Sequence, residues 1–139
     1  MSALTFTYEV PGDDFTRAGE ASSDVKRKLK QLGYNPEAIR KVAIAMYEGE
    51  INMVIHAHGG EARVEVDPQE IRITLSDRGP GIPDVEKAMQ AGWSTASEAV
   101  RQQGFGAGMG LPNMKKNADT LEIDTVVGVG TTVTAVVRL

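Results

Sequence analysis

The 139-residue chain contains no cysteine. That excludes a disulfide framework, a Cys-ligated zinc or iron–sulfur centre, and thiol catalysis. A cationic excess is missing too: 15 Lys and Arg stand against 19 Asp and Glu, for a formal net charge of −4. Mild acidity argues against nucleic acid or an anionic membrane as the main partner. No stretch nears the roughly 20 apolar residues of a membrane span. Met1–Val10 lacks the basic-then-apolar pattern of a secretory signal. A cytoplasmic protein is the expectation. The length and the 41% apolar fraction fit a single domain over residues 1–139.

Glycine is the residue in surplus. Fifteen occur, about 11% of the chain against roughly 7% on average. An excess means that the backbone turns sharply or approaches something closely.

Leu4–Val10 alternates as a half-buried strand, and Pro11-Gly12-Asp13-Asp14 is a turn that leads into a helix over Phe15–Leu32, closed by Gly33. Asn35-Pro36, a cap followed by proline at the first helical position, opens a second helix running to about His58, where Gly59-Gly60 stop it. Strands follow over Glu61–Val66 and Ile71–Leu75, then a glycine–proline loop over Ser76–Pro83 and a short helix over Asp84–Ala91. Gly92–Gly110 has no clear periodicity. A third main helix is expected from Leu111 to about Asp119. Strands over Leu121–Val127 and Thr131–Leu139 are joined by the hairpin signal Gly128-Val129-Gly130. Strand and helix do not alternate strictly, which disfavours a doubly wound parallel sheet. The predicted fold is α+β, a two-layer sandwich whose mixed, mostly antiparallel sheet carries three main helices on one face.

On the second helix Ile39, Val42, Ala43, Met46, Met53, Val54 and Ala57 share a core face. Glu48 and Asn52, one turn apart, lie on another side, with Ile44, Ile51 and Ile55 close by. A half-buried carboxylate beside an amide oxygen suits a hydrated divalent cation or a nucleophile's proton; a surface Glu bonded to Asn is the simpler alternative. Glu50 points into the apolar face, either as a second functional acid or because the helix projects beyond the sheet there. His56 and His58 lack a metal-site pattern and are read as solvated or capping groups.

Asp77-Arg78-Gly79-Pro80-Gly81 directly follows a strand. An aspartate held there can accept a hydrogen bond from an exocyclic amine such as that of adenine, though the same pattern makes ordinary turns. Gly104-Phe105-Gly106-Ala107-Gly108-Met109-Gly110 immediately precedes a helix, and free amides at helix N-termini bind phosphate; a flexible hinge without ligand is the alternative. Neither the Rossmann nor the Walker spacing is present.

Glu48-x-x-x-Asn52 on a helix, Asp77-x-Gly79-x-Gly81 after a strand, Gly104-x-Gly106-x-Gly108 before a helix and Gly128-x-Gly130-Thr131 before the last strand form an ordered set. The set resembles the GHKL, or Bergerat-fold, ATPases, and within them the small Rsb/SpoIIAB-type anti-sigma factors and switch serine/threonine-protein kinases. Asp77–Asp84, Ala91–Thr95 and Gly106–Pro112 are particularly similar to RsbT-like members.

The resemblance implies ATP and Mg²⁺ as cofactors and transfer of a phosphoryl group to a protein. Glu48 would be the general base, with Glu50 as the alternative, although Glu50 would need a twisted helix to serve. Asn52 would hold Mg²⁺. Asp77 would bind the adenine amine, with Thr131 or Thr132 near the same ring edge and Gly79 and Gly81 along the base. Gly104, Gly106, Gly108, Gly110 and Leu111 would surround the triphosphate under a lid over Gly92–Gln103. Lys115 and Lys116 are read as a solvated helix face. The implied partner is a STAS-domain anti-sigma-factor antagonist, with a sigma factor or a PP2C-type phosphatase as further partners and a homodimer left open. The competing function is a nucleotide-gated binding module with little or no phosphoryl transfer. A detached histidine-kinase catalytic domain is disfavoured, because 139 residues leave no room for a dimerisation helix pair. Gly49 departs from expectation, since glycine inside a helix costs about 1 kcal/mol relative to alanine.

Overall fold

Period-2 alternation builds the sheet. In the computed structural model, which describes residues 4–12, 19–56, 59–82, 85, 89 and 110–139, the strands are β1 (Leu4–Pro11), β2 (Gly59–Val66), β3 (Glu70–Ser76), β4 (Thr120–Val126) and β5 (Gly130–Arg138). Their order across the sheet is β1-β2-β3-β5-β4. Every pairing among the described residues is antiparallel, so the parallel pair implied by a mixed sheet is not found among them. Register puts Val64, Ile73 and Ala135 in one row, fully buried. The neighbouring row, Arg63, Thr74, Thr134 and Glu122, lies on the opposite, polar face. β2 starts at Gly59 rather than the expected Glu61, because Gly59 and Gly60 pair with Pro11 and Val10.

Among the described residues three helices form the second layer: α1 (Glu20–Gln31), α2 (Pro36–His56) and α3 (Gly110–Asn117). The expected start of α1 at Phe15 lies outside the described residues. Val25 and Leu29 of α1 are buried while Lys26, Arg27 and Lys30 are exposed. A polar cluster fixes α1 to β1: Tyr8 Oη donates to Asp24 Oδ2 at 2.6 Å, and Lys28 Nζ lies 2.8 Å from the same oxygen. The Lys28 ammonium, Tyr8 and Arg27 together hold the Asp24 carboxyl well below the usual carboxylate range.

Asn35 caps α2 as expected, its Oδ1 accepting from Glu37 N at 2.8 Å. The core side chains Ile39, Val42, Met46, Met53 and Val54 are buried as predicted, and Ala38, Ala45 and Ile51 are buried as well. α2 therefore lies between α1, α3 and the sheet rather than against the sheet alone. This explains Gly49. A Cβ there would run into Leu75 Cδ1 of β3 and stand 3.2 Å from Met114 Cε of α3. The missing side chain lets α2 sit close to both elements.

Of the short helix expected over Asp84–Ala91, only Val85 and Met89 are described, and Met89 N donates to Val85 O at 3.0 Å. α3 begins at Gly110, with Pro112 in its first turn.

The replacement Gly49→Ala gains about 1 kcal/mol of helix propensity. It also overpacks a site bounded by the buried Leu75 and Met114, which typically costs about 1–3 kcal/mol. Net destabilisation is expected in urea melts. Partial recovery in Gly49→Ala/Leu75→Val would identify Leu75 as the obstruction; equal stability of the single variant and the parent would refute the crowding.

Candidate nucleotide site

Antiparallel pairing of β3 with β5 brings the C-terminal end of β3 beside the start of β5, with Ser76 opposite Thr132. Asp77 is the first residue past β3. Its Oδ1 accepts from Gly79 N at 2.9 Å and from Thr131 N at 3.2 Å, while Asp77 N donates to Thr131 O at 2.9 Å. The aspartate thus locks its own turn to β5. Both bonds to the carboxylate use Oδ1, which leaves Oδ2 as the oxygen free to meet a ligand among the described residues.

The turn is closely packed. Gly79 is buried. Gly81 has φ +81°, and a Cβ there would fall 2.7 Å from Val126 O and 2.9 Å from Val127 Cα. At Gly130 a Cβ would collide with Asp77 O. These glycines press the Asp77 loop onto the β4–β5 hairpin, so backbone close approach is what they provide.

Strand alternation separates the two candidate threonines. Thr131 is 6% exposed and faces the helix layer with Val133 and Ala135. Its Oγ1 lies 2.8 Å from Thr125 Oγ1, and Thr125 Oγ1 accepts from Ile82 N at 2.9 Å. Thr132 falls on the opposite face, where its hydroxyl donates to Ser76 Oγ at 3.5 Å. Of the pair, the structure brings Thr131 to Asp77 and does not bring Thr132 there. Thr125 was missed in the sequence, although its place on the apolar face of β4 after Leu121 and Ile123 marks it as a polar residue needing a partner.

Glu48 and Asn52 are both partly buried on α2, and between them in the chain Gly49 touches Leu75 of β3. Asn113 Nδ2 of α3 donates to Glu48 Oε1 at 3.3 Å. Burial pushes the Glu48 carboxyl up from its ordinary value, and the Asn113 bond partly opposes that rise. Asn113 is a second residue that sequence reasoning missed; it stands 65 positions from Glu48 and belongs to none of the motifs. The alternative acid, Glu50, does not project beyond the sheet. It is 2% exposed, and its oxygens accept backbone N–H bonds from Gly19, Ala21 and Ser22.

Gly110 and Leu111 open α3, with Leu111 buried in the core. Lys115 and Lys116 are exposed. Gly104, Gly106 and Gly108, the lid over Gly92–Gln103 and His58 lie outside the described residues. Among the described residues no helix is long and apolar enough to cross a membrane.

The sheet end carries an aspartate turn and a threonine pair, and α2 carries a carboxylate and an amide one turn apart, the set expected of an ATPase-type nucleotide site. The profile of the family described as "Histidine kinase-like ATPase domain" matches residues 13–137, and the chain belongs to that family. It is 31% identical to the serine/threonine-protein kinase RsbT of Bacillus subtilis (strain 168), over 77% of each chain. It is 36% identical to the anti-sigma F factor of Caldanaerobacter subterraneus subsp. tengcongensis, over 96% of this chain and 90% of that one. The fold matches the crystal structure of the RsbU and RsbW domains of a Mycobacterium tuberculosis protein with a TM-score of 0.62 at 17% identity, covering 98% of this chain and 32% of that one.

Because burial raises the Glu48 pKa in the folded state, the fold binds the Glu48 proton more tightly than the unfolded chain. This site therefore loses stability as pH rises through the folded pKa. Glu48→Gln is expected to melt at a higher temperature than the parent at pH 7.5. The gap should close below the ordinary carboxylate range, and an equal gap at both pH values would contradict the burial of charge.

Proposed function

We propose that the chain is an ATP-dependent serine/threonine-protein kinase and partner-switching regulator, acting as one domain over residues 1–139 in the cytoplasm. The observation that carries the reading is Glu48: a half-buried acid with a raised pKa, bonded to Asn113 and one helical turn from Asn52. It belongs to a chain related to a serine/threonine-protein kinase and to anti-sigma F factors.

The residues present fit Mg²⁺ and ATP. Asn52 offers an amide oxygen of the kind a hard cation accepts, and Mg²⁺ takes only one or two protein ligands, completing its shell with phosphate and water. Bound Mg·ATP supplies the phosphoryl group and neutralises the charge on its oxygens. Asp77 Oδ2 would accept from the adenine amine, Thr131 and Thr125 would flank that contact, and the backbone at Gly79 and Gly81 would line the base. The α3 N-terminus at Gly110 would meet the phosphates, and Gly104, Gly106 and Gly108 are proposed as further phosphate-binding residues. Glu48 takes the proton of a serine or threonine hydroxyl as that oxygen joins the γ-phosphorus and the bond to the bridging oxygen breaks. Asn113 orients the carboxylate for that step, and burial of Glu48 makes it a stronger base than a solvated acid.

The protein substrate in this reading is a STAS-domain anti-sigma-factor antagonist. A sigma factor or a PP2C-type phosphatase is the second partner, and self-association is compatible with either. The competing reading, a binding module gated by nucleotide, has no need of a base at Glu48.

Glu48→Gln should retain Mg·ATP binding and lower phosphoryl transfer by about 10²-fold or more, measured with radiolabelled ATP and the antagonist. Undiminished transfer would remove Glu48 from the chemistry. Asp77→Asn should weaken ATP binding in calorimetry, and intact affinity would reject the adenine assignment.

Only ionised Glu48 accepts a proton, so transfer should fall as pH drops through a value above the ordinary carboxylate range. Asn113→Ala removes the bond that lowers the Glu48 pKa and should move that limb to higher pH. Movement the other way would contradict the geometry.

A further inference from the structure

Glu50 lies within the turn that carries Glu48 and Asn52, yet the proposed chemistry leaves it unused. Its side chain is 2% exposed. Oε2 accepts from Gly19 N at 2.8 Å and Ala21 N at 3.2 Å, and Oε1 accepts from Ser22 N at 3.0 Å. Those amides open α1, where the first N–H groups of a helix have no partner within it. Gly19, at the cap position with φ +96°, has no side chain to fill that role. The cap of α1 is therefore supplied by α2, from 28 to 31 residues further along the chain, and a carboxylate there also faces the positive end of the helix dipole.

The same turn is held on its other sides. Gly49 rests on Leu75 and Met114, and Glu48 takes the Asn113 bond. Three successive residues thus reach three different elements: α3, the sheet and α1. Residues 48 and 50 are separated by about 200° around a helix axis, so the Glu50 anchor acts almost opposite to Glu48.

We propose that Glu50 is a positioning residue: its grip on the α1 amides fixes the rotation of the α2 turn, and so the direction in which the Glu48 carboxylate faces the reacting hydroxyl. The proposal rests on Glu48 being the proton acceptor.

Two variants test it from opposite ends. Glu50→Gln keeps the shape but replaces one acceptor oxygen with an NH₂ that faces N–H donors. Gly19→Ala places a side chain at φ +96°, where it is strained although its Cβ meets nothing within 4 Å, and so disturbs the same bonds from the α1 side. Both are expected to melt cooperatively and to bind Mg·ATP within about threefold of the parent. Both should lower kcat for phosphoryl transfer about tenfold or more with little change in KM, as misdirection of a reacting group does. In the nucleotide-free proteins, the Glu48 carboxyl, followed by carbon NMR, should titrate closer to an ordinary glutamate.

If kcat per folded molecule and the Glu48 titration are unchanged in both variants, Glu50 only caps α1 and the proposal fails. It also fails if Glu50→Gln is as inactive as Glu48→Gln while Gly19→Ala is fully active, for then Glu50 itself meets the substrate. Should Glu50→Gln not fold, Gly19→Ala decides by the same two readouts. A parent protein that transfers no phosphate overturns the kinase reading alone, and the Glu48 titration still decides the role of Glu50.

Discussion

Burying a carboxylate among aliphatic side chains is unfavourable unless every oxygen finds a donor. Glu50 meets that condition only where α2 lies against the first turn of α1. The arrangement of the helix layer follows from it. α2 cannot slide or roll without stranding either a buried acid or three backbone amides, and each loss costs on the order of 1–3 kcal/mol. Gly49 permits the close approach to β3 and α3 that a Cβ would block. The core residues of α2 supply the drive to pack, and these two neighbours supply the register.

Half of the proposed nucleotide site is backbone geometry. Asp77 bonds its own turn and the start of β5 through one oxygen, so the other oxygen is presented by a loop with little room to move. Gly81 and Gly130 permit contacts that any side chain would block. The other half depends on burial, which makes Glu48 a better proton acceptor than the exposed Glu37 on the same helix.

The strands were legible because alternation and turn residues are local signals, and so were the Asn35 cap and the four ordered motifs. The oddity at Gly49 was visible, but its cause was not, since Leu75 and Met114 lie 26 and 65 positions away. The same holds for Glu50 and Asn113, whose partners are chosen by packing between helices. Thr131 and Thr132 could not be separated until the pairing of β3 with β5 set which face each occupies. Local pattern thus marked the candidate residues, and long-range register decided which of them stand together.

The strand order has a kinetic consequence. β5 pairs on one side with β3, across more than 50 intervening residues, and on the other with β4 through a short hairpin. The Asp77 turn closes only when that hairpin docks, since one of its bonds spans 54 positions. Contacts of such separation form late, because loop closure is opposed by chain entropy before it is rewarded. A nucleotide that binds the closed turn would therefore stabilise the last part of the sheet to assemble, so that the ligand of the mature protein also selects for completed molecules.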